Sequence, residues 1–219
     1  PELLTKLVRR ISSPLQAGIP SSPGLSQIVR THNLMAAHTA TMVMAVSGHR
    51  PSESLFEITI LDFDLVYKLA VYQDKQVDAA HMVRLAGIGS ILARQLNAYL
   101  EHLTILQGFG CLPTQTRSLT RKAVHGKQPL FFLLDDKGRR LAGTLERIRQ
   151  YWPETLRTFP SNFGRHLIGS YGRDLVENAE LIHIQLGHYQ ACDYPFSMDS
   201  PLNPLDFAQK ISSTIDDIA

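Results

Sequence analysis

The spacing of apolar and polar residues along the chain predicts several helices. Residues Leu34–Val46 are apolar almost all round, which predicts a buried helix, and Gly48 is placed to end it. Residues Ser90–Leu106 carry apolar side chains at helical spacing, with Ser90 as the predicted N-cap. Shorter helices are predicted at Gly143–Tyr151, Arg165–Leu175 and Asn178–Leu186.

Short runs rich in β-branched and aromatic residues predict strands between these helices. Phe56–Ile60, Leu69–Tyr72 and Met82–Leu85 predict a small antiparallel sheet with polar turns. Pro129–Leu134 is a further strand-like run. Segment Gly108–Lys127 is basic and rich in turn residues, and it shows no clear periodicity. The predicted fold class is therefore mainly α with a small antiparallel β-sheet (α+β).

The composition indicates a globular chain. Its 219 residues suffice for one domain with a sizeable core. We interpret residues 1–30 as an N-terminal arm or linker within a longer protein, and residues 31–219 as the domain. No run of about 18 apolar residues predicts a membrane span, and nothing resembles a signal peptide. Cys111 and Cys192 lack metal-ligand spacing, which favours ordinary thiols in a reducing cytosol.

Charge is unevenly placed although the formal net charge is only +2. Residues Arg117–Arg149 contain nine Lys and Arg against three Asp and Glu, a local balance of +6. Residues Asp174–Ala219 contain eight acidic residues against one Lys, a balance of −7. A basic segment on a near-neutral chain suits contact with a nucleic-acid backbone. The alternative is a solvated loop whose cations keep it soluble.

Three separated segments carry residues suited to phosphodiester chemistry. Arg50 follows the predicted helix end at Gly48, Arg165 opens a later helix, and His188 follows the turn Leu186-Gly187. Arginine offers a planar, permanently charged fork to phosphate oxygens, and histidine exchanges protons near neutral pH. A cation at a helix N-terminus is unfavourable unless an anion is near, which favours a functional role for Arg165.

These motifs resemble the catalytic domain of the tyrosine recombinase (phage integrase) family, from about Thr31 to Ser197. The family's box Gly-x-Arg-x-x-Glu is matched by Gly48, Arg50 and Glu53, and its hairpin lysine by Lys75. Its box His-x-x-Arg-His is matched by Arg165 and His166, with Asn162 in place of the first histidine. Its Leu-Gly-His turn is matched by Leu186, Gly187 and His188.

The resemblance implies cleavage of one DNA strand through a covalent 3′-phosphoryl intermediate, without metal or cofactor. Arg50 and Arg165 would clamp the phosphate, Lys75 would protonate the departing 5′-oxygen, and His188 would donate a hydrogen bond to the phosphate or help position it. Asn162 does not titrate in this range but can still hydrogen-bond a phosphate oxygen. We expect His166 to pack inside and orient its neighbours, and Glu53 either to hold an arginine or to start a helix.

Two residues are candidates for the nucleophile. Family members carry tyrosine nine residues after the Leu-Gly-His histidine, and that position here is Ser197. Tyr194 lies six residues after His188 and Tyr189 follows it directly, which places Tyr189 too close. A phenol has a pKa of about 10 and is a better leaving group than an alkyl hydroxyl, so the chemistry favours Tyr194. The spacing of nine residues after His188, which is the family's spacing, favours Ser197.

The resemblance also implies double-stranded DNA as the partner, with four protomers on two sites and C-terminal segments exchanged between neighbours. Residues Leu202–Ala219 are the candidate segment; the alternative is a C-terminal helix on its own core. No membrane partner is expected, and the location implied is the bacterial cytoplasm at the nucleoid. The alternative function is a degenerate DNA-binding protein that kept the fold. A metal hydrolase built on the nine histidines is disfavoured, because no His-Glu-x-x-His helix is present.

Overall fold

The computed structural model describes residues 24–73, 83–176, 178–188, 195 and 202–218. Their contacts form two compact units. The first unit contains the described residues up to Thr41, Leu55–Leu61 and Gln95–Phe159; the second contains Met42–Ser54, Asp62–Arg94 and the residues from Pro160 onward. The boundary expected at residue 30 falls inside a helix that begins at Leu25. The division into arm and domain stays a prediction.

Helices dominate the described part of the chain. They are α1 (Leu25–Ser47), α2 (Gly89–Leu106), α3 (Thr114–Val124), α4 (Leu145–Arg149), α5 (Glu154–Arg157), α6 (Phe163–Leu175), α7 (Glu180–Leu186) and α8 (Pro204–Ile218). The strands are β1 (Phe63–Asp64), β2 (Leu69–Tyr72), β3 (Arg84–Gly87), β4 (Phe132–Leu134) and β5 (Arg140–Ala142). A mainly helical fold with a small antiparallel sheet is therefore confirmed.

The antiparallel sheet of the second unit has the order β1-β2-β3. Tyr72 lies opposite Arg84 and Leu69 opposite Gly87. The predicted strand at Leu69–Tyr72 is confirmed, and the third strand begins two residues later than predicted. A strand at Phe56–Ile60 was wrong, because that region forms 3₁₀ turns at Glu53–Phe56 and Ile60–Asp62. Leu55 and Ile58 are buried three residues apart, which is the spacing of a helical turn and not of a strand.

The basic segment after Gly108 contains helix α3, which the apolar pattern did not predict. Its buried face consists of Thr116, Thr120 and Ala123. The Thr116 hydroxyl donates to the carbonyl of Gly138 at 2.8 Å, and the Thr120 hydroxyl donates to the carbonyl of Thr116 at 2.9 Å. Because satisfied hydroxyls form this face, helical periodicity is absent from a count of apolar residues.

Helix α2 receives its N-cap from the far end of the chain. Gly89 is the first helical residue, so the prediction that Ser90 caps the helix was wrong. The carboxylate of Asp216 instead accepts from the backbone N–H of Ser90 at 3.0 Å and of Ile91 at 2.9 Å. A carboxylate there also complements the helix dipole.

The C-terminal helix α8 packs on the second unit of its own chain. Phe207, Ile211 and Ile215 are fully buried, at helical spacing on one face. The helix lies against β3 and α6. Of the two alternatives for this segment, the structure of the single chain shows the helix on its own core. Exchange between protomers stays a prediction.

Candidate functional site

Arg165 joins the ends of two other helices in the second unit. It lies in the first turn of α6, and its Nη1 donates to the carbonyl of Gly48 at 3.0 Å. Its Nη2 donates to the carbonyl of Leu186 at 2.6 Å. The C-terminal carbonyls of a helix have no partner within that helix, so they attract a guanidinium. Arg165 therefore gathers the last residues of α1 and α7 at the start of α6.

His188 completes this junction. Its Nε2 lies 3.0 Å from Nη2 of Arg165. Since a guanidinium only donates, Nε2 is the acceptor, and the neutral ring then carries its proton on Nδ1. Burial lowers the pKa of His188, and the charges of Arg165, His183, Arg50 and Arg84 lower it further. These effects favour the neutral ring, whose Nδ1–H can donate to an anion.

Arg50 lies on the fixed turn that follows α1. Gly48 adopts a φ of +66°, the left-handed conformation that ends a helix and favours glycine. The next residue, His49, is buried and donates from Nδ1 to the carbonyl of Arg50 at 2.5 Å. The His49 ring also meets Tyr72 edge-on, with ring centroids 4.7 Å apart. The backbone that carries Arg50 is thus held from two sides, and Arg50 is half-buried.

The structure brings together three of the seven predicted site residues. Arg165 contacts His188 directly, and Arg50 lies two residues after Gly48, whose carbonyl accepts from Arg165. Asn162 is exposed immediately before α6, and its side chain forms no capping hydrogen bond. Lys75, Tyr194 and Ser197 lie outside the described residues.

Two neighbouring predictions have a clear outcome. His166 is exposed, so the expectation that it packs inside was wrong. It is the fourth residue of α6, and the buried residues of that helix are Phe163, Gly164, Ile168 and Gly172, which occupy a different face. Glu53 opens the 3₁₀ turn Glu53–Phe56, in line with the alternative that it starts a helix.

Arg84 and Gln185 were missed by the sequence reading. Both are buried in the second unit. Arg84 donates to the carbonyls of Ser47, Gly48 and Gln185. The Gln185 amide accepts from the N–H of Gly87 and donates to its carbonyl, both at 2.8 Å. The only sequence signal was a charged and an amide residue inside otherwise apolar runs, at Arg84 and Gln185.

The first unit carries the basic segment. Arg121 and Lys122 are exposed in the last turn of α3, where cations complement the helix dipole, and Arg117 is half-buried one turn earlier. Two of the other cations in the segment have local partners. Arg139 forms an ion pair with Asp135 at 2.8 Å, and Arg147 donates to the carbonyl of Ala142 at 2.7 Å. Exposed cations therefore lie at the end of α3, and Lys127, Lys137 and Arg140 are exposed as well.

The described residues show neither a metal cluster nor a membrane-spanning helix, and comparison with known proteins identifies no family. Among the described residues, no cluster of three or more His, Cys, Asp and Glu side chains is arranged to hold a metal ion. No helix in the same part of the chain is both long and apolar enough to cross a membrane. No protein-family model, curated protein or solved structure matches the chain.

Proposed function

We propose that this chain breaks and rejoins DNA strands as an integrase-type recombinase. The observation that carries the proposal is the junction at which Arg165, at the start of α6, donates to the carbonyls of Gly48 and Leu186 and lies beside His188, with Arg50 two residues after Gly48. Two permanent cations beside a neutral histidine suit a phosphodiester more than they suit a neutral substrate. The finer fold assignment, a tyrosine-recombinase-like catalytic domain, is part of this proposal.

In the proposed reaction a hydroxyl oxygen of the enzyme attacks phosphorus, and the bond from phosphorus to the 5′-oxygen breaks. The hydroxyl proton passes to solvent, Lys75 supplies a proton to the 5′-oxygen, and the DNA 3′-phosphate remains esterified to the enzyme. Reversal by a 5′-hydroxyl reseals the strand, so the covalent ester conserves the bond energy. Arg50 and Arg165 would stabilise the charge that builds on the non-bridging oxygens, which is the main work of such a site.

The proposed partner is double-stranded DNA, bound by four copies of the chain on two sites. The supporting observation for a DNA surface is the exposed charge at the end of α3. This partner would also place the protein at the bacterial nucleoid. Function on a mobile element follows from the same resemblance.

Neutralising the basic helix tests the DNA surface. We expect Gln at Arg117, Arg121 and Lys122 together to weaken binding to a random-sequence duplex across the salt range. Each lost phosphate contact removes about 0.9 from the slope of log K against log salt, so the slope should fall by about 2–3. The measurement is fluorescence anisotropy at several salt concentrations.

A matched variant controls for the change in net charge. Arg30, Arg173 and Lys210 are exposed cations outside the basic segment. Their replacement by Gln removes the same three charges and should leave most of the slope intact. Equal slopes in the two triple variants would show that α3 is only a solvated surface.

The covalent step is tested with nicked duplexes of randomised sequence. The wild-type chain should form an adduct that resists detergent, and mass spectrometry should locate the DNA on Tyr194. Tyr194→Phe should abolish the adduct and leave DNA binding nearly unchanged. Tyr189→Phe is the matched control and should keep the adduct. An adduct that persists in Tyr194→Phe and disappears in Ser197→Ala identifies the serine as the nucleophile.

A second candidate function is a DNA-binding protein that lacks the covalent step. The observation that favours it is Ser197, which stands where the family carries its tyrosine. Both candidate functions use the same basic surface, and only formation of the covalent DNA adduct distinguishes them. A wild-type chain that binds DNA but forms no adduct with any member of the pool decides for the binding protein.

A further inference from the structure

We propose that Arg84 is a positioning residue, which holds the turn after α1 and the end of α7 in one register so that Arg50, Arg165 and His188 face the same phosphate. This inference rests on the proposed function, because it assigns a supporting residue to the same site. Arg84 matches none of the boxes that the resemblance supplies. Its role follows from its contacts.

Arg84 and Arg165 share one acceptor. Nη2 of Arg84 donates to the carbonyl of Gly48 at 3.3 Å, and Nη1 of Arg165 donates to the same carbonyl at 3.0 Å. Arg84 also donates from Nη1 to the carbonyls of Ser47 at 3.3 Å and Gln185 at 2.5 Å. One guanidinium therefore connects the end of α1 to the end of α7, two residues before Gly187 and three before His188.

The sheet fixes Arg84 itself. Arg84 pairs with Tyr72 across β2 and β3, and its guanidinium carbon lies 5.0 Å from the centre of the Tyr72 ring. The Tyr72 hydroxyl donates to the hydroxyl of Ser47 at 2.9 Å. A planar fork that stacks on a ring and reaches three carbonyls is a geometry that lysine does not reproduce. The sheet and the two helix ends thus form one hydrogen-bonded frame.

Gln185 strengthens this frame from the side of α7. Its amide forms both hydrogen bonds to Gly87 on β3, and its Nε2 also donates to the carbonyl of Ser47 at 3.3 Å. Arg84 is only 3% exposed and Gln185 is fully buried. Burying a charge costs free energy that an apolar residue of similar size does not incur. A buried arginine at this junction is therefore better explained by placement of the site than by stability alone.

In the experiment, inorganic phosphate is titrated into the full chain, and NMR signals of the arginine side chains and histidine rings report its binding. In the wild type, phosphate should shift the Nε–H signals of Arg50 and Arg165. Arg84→Met should weaken phosphate binding by about tenfold or more and shift the Arg165 signal before phosphate is added. Removing a nearby cation should also raise the pKa of His188. Arg84→Lys keeps the charge, so it should restore the pKa of His188 but not the phosphate affinity.

Arg173→Met is the matched control, because Arg173 is an exposed arginine on α6 in the same unit. A merely structural role for Arg84 would lower the melting temperature and leave the phosphate affinity unchanged, although the lost charge would still raise the pKa of His188. Folded Arg84→Met that binds phosphate within about twofold of the wild type overturns the proposal. If Arg84→Met does not fold, Arg84→Lys decides, and unchanged phosphate affinity in that variant also overturns it.

The outcomes separate this inference from the proposed function. A wild-type chain that binds phosphate at Arg50 and Arg165 but forms no DNA adduct contradicts the recombinase. The effect of Arg84→Met on phosphate binding then still tests the positioning role of Arg84. A wild-type chain in which phosphate shifts neither arginine overturns the positioning role and removes the main support for the site.

Discussion

Replacing Gly164 with alanine is expected to lower the free energy of unfolding by about 3 kcal/mol, at the upper end of what overpacking a core usually costs. A Cβ at residue 164 would lie 2.6 Å from the Cα of Ala45 and 2.8 Å from the carbonyl carbon of Met44. Real Cβ atoms essentially never come closer than 3.0 Å to such neighbours. Both obstacles are backbone atoms of α1, so no side-chain rotation relieves the clash. Helix α6 must move away from α1.

Gly169→Ala in the same helix is the matched control. A Cβ there has its nearest neighbour, a methyl group of Leu186, at the ordinary contact distance of 3.6 Å. Alanine is a better helix former than glycine by about 0.8–1.0 kcal/mol, so this variant should be slightly more stable than the wild type. Urea unfolding followed by circular dichroism measures both changes. Equal stabilities for the two variants would show that α6 does not pack so closely on α1.

Gly164→Ala should also disturb the candidate site. Arg165 follows Gly164 directly and reaches the carbonyl of Gly48 on the turn after α1. Movement of α6 away from α1 lengthens that hydrogen bond. We therefore expect Gly164→Ala, where it folds, to weaken phosphate binding, while Gly169→Ala leaves it unchanged.

The sequence was sufficient for the elements whose signal is local. The apolar run before Gly48 predicted α1 and its end, and the spacing from Ser90 predicted α2. The turns at Gly48 and Gly187 both have positive φ, as their positions after helices suggest. Since these turns carry Arg50 and His188, the part of the candidate site that rests on helix ends was accessible from sequence.

The remaining features depend on partners distant in sequence. Helix α3 is buried through the hydroxyls of Thr116 and Thr120, which a hydrophobic pattern counts as polar. Asp216 caps a helix more than a hundred residues earlier in the chain. From the sequence alone, Arg84 looks like an exposed charge on a strand, because the carbonyls of Ser47 and Gly48 that it binds are distant in sequence. Hydrogen bonds between residues distant in sequence produce no periodic pattern in the sequence.

Buried histidines are expected to make the first unit unstable in mild acid. His32 and His102 are buried side by side, with His32 Nδ1 lying 3.3 Å from His102 Nε2. His32 Nε2 lies 3.1 Å from the carbonyl of Phe132 and must donate to it. His32 Nδ1 therefore accepts from the Nε2–H of His102. This chain of hydrogen bonds requires His32 to be neutral, because its Nδ1 must accept, and burial favours the neutral form of His102.

Burial and the neighbouring charge of His102 lower the pKa of His32 to about 3, and burial lowers the pKa values of His38 and His102 to about 4. The unfolded chain binds protons at these residues near pH 6.5, whereas the folded chain does not. The stability is therefore complete above pH 6.5 and is lost as the pH falls from 6.5 towards 4. Each histidine contributes about 1.4 kcal/mol per pH unit in that window.

Trp152 is the only tryptophan in the sequence and is buried in the first unit, so its fluorescence reports on this unit. We expect the free energy of unfolding in urea to fall by several kcal/mol between pH 7 and pH 5. His38→Leu removes one titrating group and should reduce that fall by about 2 kcal/mol. His125→Gln is the control, because His125 is exposed and should leave the difference unchanged. A stability that is the same at pH 7 and pH 5 would contradict the neutral histidine pair, since three protons taken up only by the unfolded chain must favour unfolding.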